Sequence, residues 1–231
     1  MSLLKSNIIW RGPHIEESLK SPLRTFAYYK GNSIKNVVIG LHGFGDQGAN
    51  FASLAQELSV VDNVLWLFPQ GPQSCEMIAD GFQWFPLFHC PEKEFLHSEK
   101  SVFSLLNHLN ETLLLPFSKM FLFGFSQGGA LALHCGLKHS QPLGGVMSLS
   151  GFLMHSFLPQ KSVLDTNLNS VPFFFGHGVH DQVVFPVLYY DMLETLKNLG
   201  AKKYQAHIYD MAHTFCPQEL FDFVKFIEDF R

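Results

Sequence analysis

Short runs of β-branched and aromatic residues alternate along the chain with stretches whose apolar positions recur at helical spacing. That alternation predicts an α/β domain with a mostly parallel central sheet and helices on both faces. The predicted strands are Thr25–Tyr29, Asn36–Leu41, Val64–Phe68, Lys119–Phe125, Gly145–Ser150, Pro172–Gly176 and Lys203–Tyr209. The predicted helices are Asn50–Leu58, Lys100–Leu113, Gln127–Lys138, Phe185–Leu199 and Pro217–Phe230. Val37–Leu41 and Met120–Phe123 are apolar throughout, as strands covered on both faces must be. The last helix opens on Pro217, tolerated in a first turn, and carries Leu220, Phe223, Val224 and Ile227 on one side. One stretch has no period: residues 70–97 mix Pro, Gly, Phe and His, as a lid or pocket wall would.

Composition narrows the class. Of 231 residues, 47% are hydrophobic and 16% charged, so the chain can bury a large core and is not disordered. A net charge of −4 removes the electrostatic footprint of a nucleic-acid binder. The 24 Phe are expected chiefly in the core, with an apolar pocket as the functional alternative. No apolar run is long enough to span a bilayer, and Met1–Trp10 lacks the apolar region of a signal peptide. Cys75, Cys90, Cys135 and Cys216 show no CxxC spacing and read as reduced thiols. A single domain over 1–231 in the cytoplasm is therefore expected.

Gly124-Phe125-Ser126-Gln127-Gly128 matches GxSxG. Chance alone yields that pattern in roughly one chain in ten of this length, so the context decides. A buried strand runs into it and a helix leaves it, which is the strand–turn–helix of a nucleophile elbow. Its glycines allow strand and helix to cross closely, and the helix start aims the backbone N–H of Gln127 at the reacting oxygen.

A serine nucleophile needs a base, and the base needs an orienting carboxylate. Among the downstream histidines, His134 and His139 lie on or just past the helix that leaves the elbow, and His207 lies in a strand. His213 occupies the loop between the last strand and the last helix, where the base belongs. Asp181 follows the Pro172–Gly176 strand and is the favoured acid; Asp165, Asp191 and Asp210 sit in a polar connection, a helix and the base's own turn.

Two rival readings are weaker. His177, His180 and Asp181 could be taken as metal ligands, but no HExxH or third-ligand spacing accompanies them, and no metal is expected. Gly43-Phe44-Gly45-Asp46-Gln47-Gly48 matches a dinucleotide-binding loop, which would make the chain an oxidoreductase. Asp46, however, would repel a pyrophosphate, and no acidic residue ends the second strand at Phe68-Pro69-Gln70. As part of a hydrolase, the same loop supplies a second oxyanion donor, the N–H of Phe44, while Asp46 is expected to cap the following helix.

Leu41-His42-Gly43-Phe44-Gly45-Asp46, Phe68-Pro69-Gln70-Gly71-Pro72, the Ser126 elbow, Gly176-His177-Gly178 with Asp181, and Met211-Ala212-His213 together resemble the phospholipase/carboxylesterase family of α/β-hydrolases, which includes acyl-protein thioesterases and bacterial carboxylesterases. The resemblance implies an α/β-hydrolase fold and a cofactor-free serine hydrolase of acyl esters, thioesters or lysophospholipids. By it, Ser126, Asp181 and His213 are the catalytic residues, and Phe44 and Gln127 the oxyanion donors. Trp84-Phe85 resembles an aromatic pair beside the family's site, and Phe152 and Val183 fall where acyl-contacting residues are found. Pro86 and Gln182 depart from the family's usual residues next to that pocket. A hydrolase fold kept as a binding module is the non-enzymatic alternative, and an intact Ser, Asp and His set argues against it. No basic amphipathic helix provides a membrane anchor. Association of exposed Phe residues in a homodimer stays open.

Overall fold

The fold is described from a computed structural model, which covers residues 16–17, 23–58, 61–87 and 90–231. The expectation for Met1–Trp10 lies outside the described residues, as do two positions of the irregular stretch.

The apolar runs pair into one eight-stranded sheet. Its strands are β1 (Glu16–Glu17), β2 (Thr25–Lys30), β3 (Asn36–Leu41), β4 (Val64–Pro69), β7 (Met120–Phe125), β8 (Gly145–Leu149), β9 (Phe173–Gly178) and β10 (Tyr204–Tyr209). They lie in the order β1-β2-β4-β3-β7-β8-β9-β10. β1 and β2 are antiparallel to their neighbours, and the six strands from β4 to β10 in that order run parallel. A separate two-stranded hairpin, β5 (Gln73–Ser74) and β6 (Phe82–Gln83), lies between β4 and β7 in the chain.

Parallel strands require crossovers, and the helices supply them. They are α1 (Gly48–Phe51), α2 (Ala55–Leu58), α3 (Glu92–Leu113), α4 (Gln127–Lys138), α5 (Lys161–Ser170), α6 (Pro186–Asn198) and α7 (Pro217–Phe230). Helices α3 to α6 bury one face of the sheet, and α1, α2 and α7 the other. The Phe-rich strand β9 serves both: Phe173 and Phe175 enter the first layer and Phe174 the second, as strand alternation dictates. The surplus of phenylalanine therefore goes into core. Phe68, Phe85, Phe95, Phe121, Phe123 and Phe223 are all fully buried, and none of them forms an apolar groove.

Three boundaries correct the sequence reading. Helix α3 begins at Glu92 rather than Lys100, so the irregular stretch ends at residue 91. Its opening turn, Glu92-Lys93-Glu94, carries no apolar signal. The polar connection assigned to Asp165 is helix α5, whose inward face is only Leu164, Asn167 and Leu168. The predicted helix Asn50–Leu58 is broken into α1, a 3-10 turn at Ala52–Leu54, and α2. Among the described residues no helix is long and apolar enough to cross a membrane.

Candidate active site

In a parallel sheet all the loops that follow strands emerge at one edge. Phe44 follows β3, Ser126 follows β7, Asp181 follows β9 and His213 follows β10, so the topology collects them there.

Ser126 occupies the turn between β7 and α4 with φ 55° and ψ −116°, a conformation an L-residue pays to adopt. Its N–H donates to Leu149 O at 2.8 Å, and its carbonyl accepts from Ala130 N–H at 3.0 Å. The turn is this sharp only because its neighbours lack side chains. A Cβ on Gly124 would collide with the Gly128 carbonyl, and one on Gly128 with the Leu41 carbonyl. Helix α4 is thereby seated against the end of β3. Among the described residues neither the N–H of Gln127, first in α4, nor that of Phe44 is used in a hydrogen bond.

His213 Nδ1 donates to Asp181 Oδ2 at 2.7 Å. The other carboxylate oxygen, Oδ1, accepts from the backbone N–H of Val183 and of Val184, each at 2.9 Å. Burial alone would raise the pKa of Asp181, but the hydrogen bonds from His213 and from the two N–H groups outweigh it and hold the carboxyl below its ordinary value. Asp181 is therefore an anion fixed in place. With Nδ1–H committed to it, the Nε2 atom of His213 carries the lone pair. The His213 ring lies 4.7 Å from that of Phe125, the residue before Ser126. Among the described residues His213 makes no hydrogen bond to the serine hydroxyl, a contact that in many hydrolases tightens only with substrate bound.

The loop bearing Phe44 is held by His42 and Gln70, which belong to the quoted sequence blocks but were given no role there. His42 is buried; its Nδ1–H donates to Gly43 O at 2.8 Å and its Nε2 accepts from Gly71 N–H at 2.9 Å. Both ring nitrogens are thus assigned, and burial keeps the imidazole neutral by lowering its pKa. Gln70 Oε1 accepts from Gly48 N–H at 3.0 Å. Asp46 was expected to cap α1, but the helix has no side-chain cap, and Asp46 Oδ1 instead accepts from Gln47 N–H at 2.8 Å and from the Asn50 amide at 3.3 Å.

Trp84 and Phe85 were expected beside the substrate. Both are withdrawn from solvent, at 0% and 1% exposure. They brace the site from beneath. The Gln127 side chain accepts from Trp84 N–H at 2.9 Å and donates to Phe85 O at 2.6 Å, while the indole N–H donates to His42 O at 3.0 Å. Phe152 is half-buried in the loop after β8, and Val183 is exposed beside Asp181.

Of the remaining histidines, His177 touches the cluster, its Nε2 lying 3.6 Å from Asp181 Oδ2, and His134, His139 and His180 stand outside it. His134 pairs with buried Glu99, His139 Nδ1 donates to Gln141 O, and His180 pairs with Asp210 on the surface. His177 donates to Val184 O at 2.9 Å and so closes the loop that presents Asp181. Asp191 pairs with His155 far along α6. Among the described residues no group of three or more His, Cys, Asp or Glu could hold a metal ion.

Residues 27–230 match the model of a family described as phospholipase/carboxylesterase. The acyl-protein thioesterase 1 of Candida albicans is 30% identical over 220 residues, covering 86% of this chain and 94% of its own. That of Saccharomyces cerevisiae is 29% identical over 218 residues, covering 84% and 92%. Among solved structures, a carboxylesterase from Mesorhizobium loti superposes with a TM-score of 0.78 at 16% identity, covering 93% of this chain and 98% of its own. Acyl-protein thioesterase 2 from Zea mays gives 0.71 at 21% identity, covering 89% and 98%. At these identities the solved structures speak for the fold alone, and that fold is the α/β hydrolase.

Proposed function

The chain belongs to the phospholipase/carboxylesterase family, and we propose that it is a serine hydrolase that cleaves acyl esters or thioesters through an acyl-enzyme on Ser126. The observation that carries this reading is the His213–Asp181 hydrogen bond of 2.7 Å at the sheet edge where Ser126 stands in its strained turn.

His213 Nε2 accepts the proton of the Ser126 hydroxyl as Oγ bonds to the acyl carbonyl carbon. Asp181 keeps the imidazole in the tautomer that can do this and stabilises the cation that results. The carbonyl oxygen becomes an oxyanion and accepts from the N–H groups of Phe44 and Gln127, each worth about 3 kcal/mol by analogy with other oxyanion holes. When the tetrahedral species collapses, the bond to the alcohol or thiol breaks, and His213 returns its proton to that leaving group. Water then enters and gives a proton to His213 as its oxygen bonds to the acyl carbon; the bond to Ser126 Oγ breaks, His213 returns the proton to Oγ, and the acid leaves.

The names of the relatives favour thioesters among the substrates, with esters and lysophospholipids as the wider class. Val183 and Phe152, at the rim, are the acyl-contacting candidates; Trp84 and Phe85 act by holding Gln127. With four free thiols, a cytoplasmic setting fits. The test is kcat/KM across p-nitrophenyl esters and matching acyl thioesters from two to sixteen carbons. Turnover of a thioester at least equal to that of its ester supports the thioesterase reading. Turnover of neither series above a Ser126→Ala blank overturns the assignment.

A further inference from the structure

One buried carboxyl takes no part in this chemistry. Glu219 lies in the first turn of α7, six residues after His213, and its side chain is 0% exposed. Among the described residues neither Oε1 nor Oε2 has a hydrogen-bond partner. The carboxyl fills a specific hole: a Cβ on Gly176 would strike Glu219 Oε1. Gly176 is in β9, the strand that leads into the Asp181 loop. Two residues on, a Cβ at Gly178 would strike the carbonyls of Met211 and Ala212, just before His213. The loops of the acid and of the base are therefore keyed together at two points, and Glu219 is one of them.

An ionised carboxylate with no donors is the costliest group a protein interior can hold, whereas the neutral acid is bearable. Burial accordingly pushes the Glu219 carboxyl up to about 8. The titratable groups around it are few. His207 stands opposite Gly176 in the β9–β10 register and Tyr209 follows on the same strand. Tyr189 comes from α6, and Cys216 and Asp222 from the same loop and helix. The hydroxyls of Tyr189 and Tyr209 are pushed up by burial, and none of these groups donates to Glu219.

We infer that Glu219 is a positioning residue: as a neutral acid seated in the Gly176 hole it locks the His213 loop onto the Asp181 strand, and its ionisation at alkaline pH releases the lock. The inference rests on the hydrolase reading of the site, because what it positions is the His213–Asp181 pair. Loss of a proton draws the carboxylate toward water and away from Gly176, and with it the amino end of α7 and the loop before it.

The test is kcat/KM for p-nitrophenyl butyrate from pH 5 to 10, with a Ser126→Ala blank subtracted, in wild type, Glu219→Gln and Glu219→Ala. Wild type should bend down above pH 8 and fall about tenfold per further pH unit, as for an essential acid. Glu219→Gln, neutral and the same shape, should keep the acid limb and lose the alkaline bend. Glu219→Ala should lie below both at every pH. A wild-type profile flat to pH 10, or an identical bend in Glu219→Gln, overturns the inference. If the Gln variant is not recovered folded, the wild-type thermal midpoint decides: it must fall between pH 5 and 9, and a constant midpoint is equally fatal. Wild type inactive at every pH would instead sink the hydrolase reading.

Discussion

Asp181 and Glu219 are both carboxyls taken out of water, at 2% and 0% exposure, on opposite sides of one contact between loops. Their surroundings drive them opposite ways. Asp181 receives three hydrogen bonds and stays an anion, its pKa held down against the cost of burial. Among the described residues Glu219 receives none and stays an acid, its pKa pushed up to about 8 by burial. Burial alone therefore does not decide what a carboxyl does; the count of donors around it does. An anion with committed donors can orient a base, whereas the unpartnered Glu219 acid fills space and holds shape.

The comparison is broken hardest by Asp181→Asn. With its oxygen held by the Val183 and Val184 N–H groups, the amide there would donate its NH2 to His213 Nδ1 and fix the wrong tautomer, so kcat should fall by about 10⁴-fold while the fold persists. A loss below tenfold, measured by steady-state kinetics, would remove Asp181 from the mechanism.

The two carboxyls also predict opposite slopes of stability with pH. For Asp181 the folded pKa lies below the unfolded one, so its stabilisation is present above the ordinary carboxylate range and is lost as pH falls through the folded value. For Glu219 the folded value of about 8 lies above the ordinary 4.5. Below that ordinary value both states hold the proton and the group costs nothing. As pH rises to about 8 the unfolded chain binds fewer protons than the folded one, and stability drains away, by at most about 5 kcal/mol. Stability should therefore pass through a maximum on the acid side of neutrality, and Glu219→Gln should flatten only its alkaline flank in urea titrations.

A third buried polar group sharpens the rule. Gln127 has its carbonyl and amide both committed, to Trp84 N–H and Phe85 O. Truncation by Gln127→Ala leaves two buried backbone groups unpaired and should cost roughly 2–5 kcal/mol. Because its N–H is backbone, residual activity should survive in whatever fraction remains folded. Loss of activity without loss of urea midpoint would mean that the side chain contacts the substrate itself.

Much of this was legible before any coordinates. The elbow could be read because its signature is local: an apolar strand, a tight turn and a helix within twenty residues. Helices α4 and α7 begin and end where their periodicity and Pro217 place them. The order Ser126, Asp181, His213 followed from which loops leave the strand ends. What stayed hidden was tertiary. His42 reaches Gly71 and Gln70 across 29 and 28 residues, and Gln127 reaches Trp84 across 43, with no period to announce either. Nothing in the sequence set Glu219 apart from the other acidic residues of α7; in the structure Cys216 Sγ accepts from Glu219 N–H at 3.4 Å while the carboxyl turns inward to Gly176.

The central claim is that Ser126 is the nucleophile, and fluorophosphonate labelling followed by peptide mass mapping tests it most directly. The account predicts one adduct per chain, carried by Ser126 and absent from Ser126→Ala. An unlabelled wild type, or an adduct that persists in Ser126→Ala, would contradict it.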